Sequence, residues 1–392
     1  MIKNLKTEWF GNVRGDILAG IVVCLALFPE VIGFMIVAGV DPIVGVYATF
    51  FITLISAFFG GRTGMISAAA GAVALVLANL VAEHGIEYLF ATTILAGIIQ
   101  GILGFLKIGK VMKYIPKAVM TGFVNSLGIM MFTSQLDHFK GNIILPILAI
   151  IGIFIIFIFP KITKKIPSPI VAILVISFIV IILKLDVRML GDLGEISRSL
   201  PKFKIPEVPI NFETLKIIFP TALSVALVGL IESLLTSKLV DEITESDSDK
   251  NREARSQGLA NIVSGFFGGI AGCGMIGQTM INLNYGGLGR LATLLSGTFM
   301  LLSVVLLNNI IIQIPIVALA AVMVVVSVTT INWDSIKNIK NIPKTESLVM
   351  IITVIIVLLT HNLAYGVVIG TVVNIILEKS KKNNINVEES IV

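Results

Sequence analysis

Residues 265–277, Gly-Phe-Phe-Gly-Gly-Ile-Ala-Gly-Cys-Gly-Met-Ile-Gly, limit what this chain can fold into more than any other stretch. They lie among apolar segments, yet glycine propagates a helix badly. Inside a bilayer, backbone outside a helix is tolerated only where protein buries it or where it lines a wet cavity. The stretch therefore reads as a break between two membrane helices, with a short helix starting just after it. An earlier copy stands at 57–67, where Phe58-Phe59-Gly60-Gly61 leads to Gly64-Met65-Ile66-Ser67. Two interrupted helices in matching halves of a membrane chain point to the binding site of a transporter.

The membrane reading rests on composition. Of 392 residues 56% are hydrophobic and only 14% charged, and 143–159, 170–183 and 348–359 are almost free of charge. About fourteen hydrophobic segments follow, including a third at 65–81, a ninth at 257–267 and a tenth at 274–283. With fourteen, the basic connections fall on one side: Lys3, Lys6 and Arg14; Lys107, Lys110, Lys113 and Lys117; Lys161, Lys164 and Lys165; Lys337, Lys340 and Lys344; Lys379, Lys381 and Lys382. The positive-inside rule makes that side cytoplasmic. The charged stretch 241–255 belongs there too, and 184–211 is the longest external stretch.

The net charge of +5 is thus a topology signal, with no aromatic-basic platform for nucleic acid. Cys24 and Cys273 carry no disulfide or zinc spacing. No nucleophile elbow, P-loop or His-Glu-x-x-His is present, so an enzyme is not expected.

The repeat extends past the glycines at offsets of about 200 residues. Phe28-Pro29-Glu30 matches Leu230-Ile231-Glu232, Thr93 to Gly97 matches Thr293 to Gly297, and Ile115-Pro116 matches Ile314-Pro315. Seven segments per half is odd, so the halves have opposite topology. The expected organisation is a cytoplasmic N-terminus (1–14), a first repeat (15–183), an external loop (184–211), a second repeat (212–377) and a cytoplasmic tail (378–392).

Three groups of residues are candidates for chemistry. Glu232 stands in a run otherwise without charge, where a carboxylate needs a cation, a proton or a polar cavity. Thr236 lies one turn on, placed to add an oxygen. Glu30 follows Pro29, which removes a helix hydrogen bond, and is a substrate contact or a carboxylate reaching an interface. The third group is the pair of short-helix starts: Ser67, Ala68 and Ala69 on one side, Met275, Ile276, Gly277 and Gln278 on the other. Two helix N-termini facing one point suit an anion, held by free backbone N–H groups. Glycines used only for close helix packing are the competing explanation.

Together these residues resemble a known family. Pro29-Glu30, Ala38-Gly39-Val40-Asp41-Pro42 and Gly45-Val46-Tyr47-Ala48 are similar to the first signature of the sulfate permease (SulP) family. Asn251-Arg252-Glu253, Gln257-Gly258-Leu259-Ala260-Asn261 and Gly265 to Gly269 resemble its central signature. The likeness covers nearly the whole chain and is strongest to the bacterial branch that includes a cyanobacterial bicarbonate transporter. It implies a core and a gate domain, an anion between the starts of segments 3 and 10, elevator-like movement and a homodimer. It also implies that Glu232 and Thr236 correspond to an acid and a threonine that hold sodium in the bicarbonate transporter. The acid there is aspartate, whereas glutamate is found in proton-coupled members, so the resemblance leaves sodium and protons both open. Two departures stand out. Gly277 aligns with an arginine of some animal relatives, and the soluble STAS domain that ends most members has no counterpart before Val392.

The expectation is an all-α polytopic protein of about fourteen segments in a seven-plus-seven inverted repeat, with two half-helices meeting at the midplane. It would sit in the plasma membrane with both termini cytoplasmic. It would carry a small inorganic anion of the sulfate or bicarbonate type, coupled to sodium or protons through Glu232. No cofactor is expected beyond a possible sodium ion. The rival readings are an uncoupled channel or exchanger, or a dicarboxylate or nucleobase carrier on the same fold.

Overall fold

The computed structural model describes residues 2–107, 109, 116–163, 167–193, 200–339, 341–360 and 362–391. Lys110, Lys113, Lys164, Lys165, Lys340 and Ile115 lie outside them. The first half holds α1 (Ile2–Phe10), α2 (Val13–Ala38), α3 (Pro42–Phe59), β1 (Ser67–Ala69), α4 (Gly71–His84), α5 (Ile86–Phe105), α6 (Lys117–Gln135), α7 (Ile144–Ile162) and α8 (Ser168–Ile182). The second half holds α9 (Phe212–Thr244), α10 (Lys250–Phe266), β2 (Gly272–Gly274), α11 (Ile276–Asn284), α12 (Arg290–Ile311), α13 (Ile316–Thr330), α14 (Trp333–Lys337), α15 (Lys344–Thr360) and α16 (Leu363–Ile391).

Local chemistry sets the helix ends. Gly39 closes α2 at φ +72°, a conformation that costs glycine nothing. Two residues later Asp41 caps α3 by accepting from the Ile43 N–H at 2.8 Å, with Pro42 as the first helical residue. Asn211 caps α9 through the Thr214 N–H, and Asp249 caps α10 through Asn251 and Arg252. Pro116 and Pro315 stand at equivalent starts, those of α6 and α13.

Helices α2, α3, α5, α7, α9 and α12 are each long and apolar enough to cross a bilayer. By contrast α4 has 14 residues and α11 has 9. At 1.5 Å per residue these reach about 21 and 14 Å, short of a hydrocarbon core of roughly 30 Å. Each is half a span, completed by the extended strand before it.

The inverted repeat is visible in which helices touch. Helix α12 packs on α2 and α3, and its counterpart α5 packs on α9 and α10. Likewise α11 lies on α2 while α4 lies on α9, and α7 lies on α13 while α15 lies on α6. Each half contributes four segments to one bundle, made of α2–α5 and α9–α12. The other three of each half, α6–α8 and α13, α15 and α16, form a second bundle. The bundles meet where α2 touches α8 and α13, α4 touches α6, and α9 touches α16. At one crossing a Cβ on Gly33 would lie 2.6 Å from Met323 Cγ, so α2 needs a glycine there.

The structure adds detail to two expectations and corrects a third. The stretch 241–255 is mostly helix: α9 runs through Thr244 and α10 begins at Lys250, where Asp249 supplies a helix cap, so only 245–249 connect them. Residues beyond 377 continue α16 to Ile391. The correction concerns the break. The Phe-Phe-Gly-Gly pairs do end equivalent helices, α3 and α10, but the Gly-Met-Ile copies are out of register. The connection 60–66 has two residues more than 267–271, so Ser67 sits in β1 whereas Gly277 lies inside α11.

Candidate anion site at the broken helices

Where the two breaks cross, β1 and β2 pair antiparallel, Ser67 opposite Gly274, Ala68 opposite Cys273 and Ala69 opposite Gly272. All six residues are buried. A Cβ on Gly272 would lie 2.1 Å from the Ala68 carbonyl oxygen, so glycine is needed for the strands to approach. Backbone this deep must find partners, and polar side chains of the surrounding helices supply them. The Gly272 N–H donates to Asn261 Oδ1 (2.9 Å), the Gly274 N–H to Ser233 Oγ (2.8 Å) and the Ile66 N–H to Thr279 Oγ1 (2.9 Å). Thr293 Oγ1 donates to the Met65 carbonyl (3.0 Å), and the Met275 N–H reaches the Ile66 carbonyl (2.8 Å).

Each strand then hands the chain to a half-helix. Neither Ala70 before α4 nor Met275 before α11 offers a side-chain cap. The first N–H groups of both helices therefore lack an internal partner, and each end carries a partial positive charge. Both ends face one cavity of about 840 Å³ between the two bundles. Gly71 and Ala72 line it from α4, and Met275, Ile276, Gly277 and Gln278 from α11. A Cβ on Gly277 would meet nothing within 4 Å, so that position is open space. Phe123, Leu127 and Met131 of α6 form the opposite wall. The end of α13 and the start of α14 line the cavity as well, through Thr329, Thr330, Trp333 and Asp334. Lys337 closes α14 a few residues past that lining, and Lys117 opens α6.

Both predicted carboxylates are at the wall. Glu30 of α2 accepts a hydrogen bond from Gln278 Nε2 on α11. Glu232 of α9 lies 2.9 Å from Cys273 Sγ, whose thiol donates to it from β2. Thr236 does not line the cavity. It is buried under β2, where its Oγ1 donates to the Glu232 carbonyl at 2.8 Å and lies 3.2 Å from the Gly274 carbonyl. The Glu232 carboxylate, the Thr236 hydroxyl and the Gly274 carbonyl are hard oxygen donors of the kind that suits sodium. Among the described residues no cluster of three His, Cys, Asp or Glu side chains is present.

The structure places Ser67, Ala68 and Ala69 apart from the cavity lining. They precede the α4 terminus by a strand, are fully buried and line no part of the cavity. Ser67 Oγ accepts from Gln257 Nε2 at 2.6 Å, and the same nitrogen reaches Glu253 at 3.0 Å. Glu253 accepts in turn from the Gly61 and Arg62 N–H groups. The serine thus belongs to a polar network that holds the break together. The contacts at the second bundle escaped the sequence reading because Phe123, Leu127 and Met131 are indistinguishable from lipid-facing residues. Asn261, Ser233 and Thr293 carried a usable signal, being polar side chains inside apolar segments.

The model of the sulfate permease family matches residues 13–143 and 140–353. YbaR of Bacillus subtilis, provisionally named a sulfate transporter, is 52% identical over 384 residues, which is 98% of this chain and 80% of YbaR. Among solved structures, the transmembrane domain of a cyanobacterial bicarbonate transporter, BicA, superposes with a TM-score of 0.80 at 26% identity, covering 94% of this chain and 97% of that one. The murine Slc26a9 anion transporter in its inward-facing state gives 0.82 at 19% identity, covering 94% and 69%.

Proposed function

Since this chain belongs to the sulfate permease family, we propose that it is a secondary-active transporter of a small oxyanion of the sulfate or bicarbonate type, driven by sodium bound at Glu232. The observation that carries the reading is the pair of uncapped helix ends facing one cavity, with a carboxylate on the wall beside them. Backbone N–H groups at helix N-termini bind anions without a fixed positive side chain. Among the described residues the cavity lining includes no lysine, arginine or histidine. Sodium at the Glu232 carboxylate, with the Thr236 hydroxyl and the Gly274 carbonyl near, would offset that negative charge and raise affinity for the anion. The two co-substrates then favour each other, which is the thermodynamic content of coupling.

Movement of one bundle against the other supports transport better than a channel does. A second recess of about 320 Å³ lies at the other end of the bundles, lined by Glu83 and His84 of α4, Thr221 of α9 and Asn362 next to α16. It shares no residue with the first cavity. In this reading the site opens toward the lysine-rich end, taken as cytoplasmic along with both termini. Displacing the first bundle along the second would expose the site toward the other recess. The same reading includes the plasma membrane as location and a homodimer as the assembly.

The test is uptake of labelled sulfate, bicarbonate and succinate into proteoliposomes across a sodium series. Glu232→Gln should abolish sodium stimulation while leaving some anion exchange. Thr236→Ala should raise the sodium concentration for half-maximal uptake several-fold, as one lost hydrogen-bond-strength ligand of about 1 kcal/mol implies. Wild-type sodium dependence in Glu232→Gln would remove Glu232 from coupling. Preferred uptake of succinate would favour the dicarboxylate reading.

A further inference from the structure

Among the described residues the Glu232 carboxylate accepts one side-chain hydrogen bond, from Cys273 Sγ at 2.9 Å. Cys273 is the middle residue of β2 and is fully buried. The Gly274 carbonyl, on the next residue, and the Thr236 hydroxyl are the other oxygens of the proposed sodium site and lie 3.2 Å apart. We infer that the Cys273 thiol is a placeholder for the cation. It holds the Glu232 carboxylate when sodium has left, turns away when sodium binds, and so sets the sodium affinity. This rests on the sodium-driven reading above and adds to it the side chain that competes with the ion.

The chemistry of the return step calls for such a group. After release, the carrier must bring its cation site back through the membrane without the cation. A bare carboxylate in apolar surroundings is costly. A donor beside it lowers that cost, but a strong donor would hold the carboxylate against the ion. Lysine or arginine in that place would neutralise it for good. A thiol is a small, uncharged and weak donor. Sodium on the same carboxylate repels the S–H hydrogen that points at it, so the two occupy the carboxylate in turn.

The exchange needs no movement of the strand. The backbone of β2 is fixed on both sides of Cys273: the Gly272 N–H donates to Asn261, the Gly274 N–H to Ser233, and β2 pairs with β1. What can change is the one side-chain torsion of Cys273, which has three staggered positions. Room for it comes from α9. A Cβ on Gly229 would lie 3.6 Å from Cys273 Cβ, so a side chain there would fill the space beside the thiol. Gly229, Glu232, Ser233 and Thr236 follow one face of α9 at helical spacing. That face thus presents to β2 the room for the thiol, the carboxylate, the strand anchor and the threonine oxygen.

The alternative is packing: Cys273 fills a small gap between β2 and α9, and its thiol has no part in cation binding. Cys273→Ala and Cys273→Val separate the two, because both remove the donor, one leaving space and the other filling it. Where Cys273→Ala does not survive extraction, Cys273→Val carries the test. The readout is the Tm of purified protein in detergent across a sodium series, with N-methylglucamine chloride holding the ionic strength constant. An ion that binds only the folded protein raises its Tm with concentration. Both variants should reach half of the sodium-dependent rise at about fivefold lower sodium than wild type, the worth of one weak hydrogen bond. Their loss of Tm should be largest without sodium and shrink as sodium saturates. In proteoliposomes both should slow net uptake of labelled sulfate or bicarbonate more than counterflow, because only net uptake returns the site empty. A Tm loss equal at all sodium concentrations, with half-saturation as in wild type, overturns the inference. Weaker sodium binding in either variant overturns it as well. A wild-type Tm and uptake that ignore sodium would instead sink the sodium reading at Glu232.

Discussion

Ser67 shows how a residue can be found by motif and misplaced by it. Its position in the repeated Gly-Met-Ile pattern suggests a substrate contact, yet its hydroxyl serves Gln257 in a fully buried network with Glu253. Removing the hydroxyl leaves Gln257 Nε2 with Glu253 as its remaining partner. Ser67→Ala should therefore cost about 1 kcal/mol of stability, read as a lowered Tm in detergent, with the anion concentration for half-maximal uptake unchanged. A selective loss of anion affinity would return Ser67 to the site. Glu232, Glu30 and Gly277 were legible because each breaks a local rule: a carboxylate in an apolar run, an acid after an intrahelical proline, a glycine at a helix start. Thr236 was legible as a neighbour in helical spacing, but its place under β2 was not, since that depends on where a segment 38 residues later returns.

At the scale of elements, the glycines divide into two kinds. Those of the break allow strands to cross, as at Gly272. Others let whole helices touch. On α5, a Cβ at Gly97 would lie 2.5 Å from the Gly258 carbonyl oxygen of α10, and one at Gly258 would lie 2.5 Å from the Gly101 N. This is close packing through small residues, the main source of attraction between helices in lipid. Gly97→Val should push α5 from α10 and cost about 1–3 kcal/mol, read as a lower Tm and a smaller monodisperse fraction after extraction. An unchanged Tm would mean that the α5–α10 contact is dispensable. The fourteen segments and their inverted order were readable from apolar runs and basic connections. The ends of α9 and α10 were not, because charged residues at 241–255 form helix as readily as loop once Asp249 caps them. The exact start of α4 was hidden as well, because the Ser-Ala-Ala-Ala-Gly run at 67–71 suits a helix start, and only pairing with β2 makes its first residues extended.

For the whole molecule, the pairwise swap of helix contacts places two half-helices at one point between two bundles. The first bundle carries the acids Glu30 and Glu232 and both helix ends; the second contributes mostly apolar surface, from Phe123 to Met131. A smooth apolar wall against a polar, self-contained site suits relative sliding, because few polar bonds must break. Asn362 Nδ2 to Ser224 Oγ, at 3.2 Å, ties the bundles at the recess end. The most direct measurement is the concentration dependence of labelled-anion uptake by purified wild type and Gly277→Leu, with folding checked by Tm. The open space at Gly277 can hold a leucine side chain, which would cover the N–H groups of the α11 end. Gly277→Leu should show a normal Tm with anion affinity lowered at least tenfold, equivalent to about 1.4 kcal/mol or more. Wild-type affinity in a well-folded Gly277→Leu protein would contradict it and move the anion away from the broken helices.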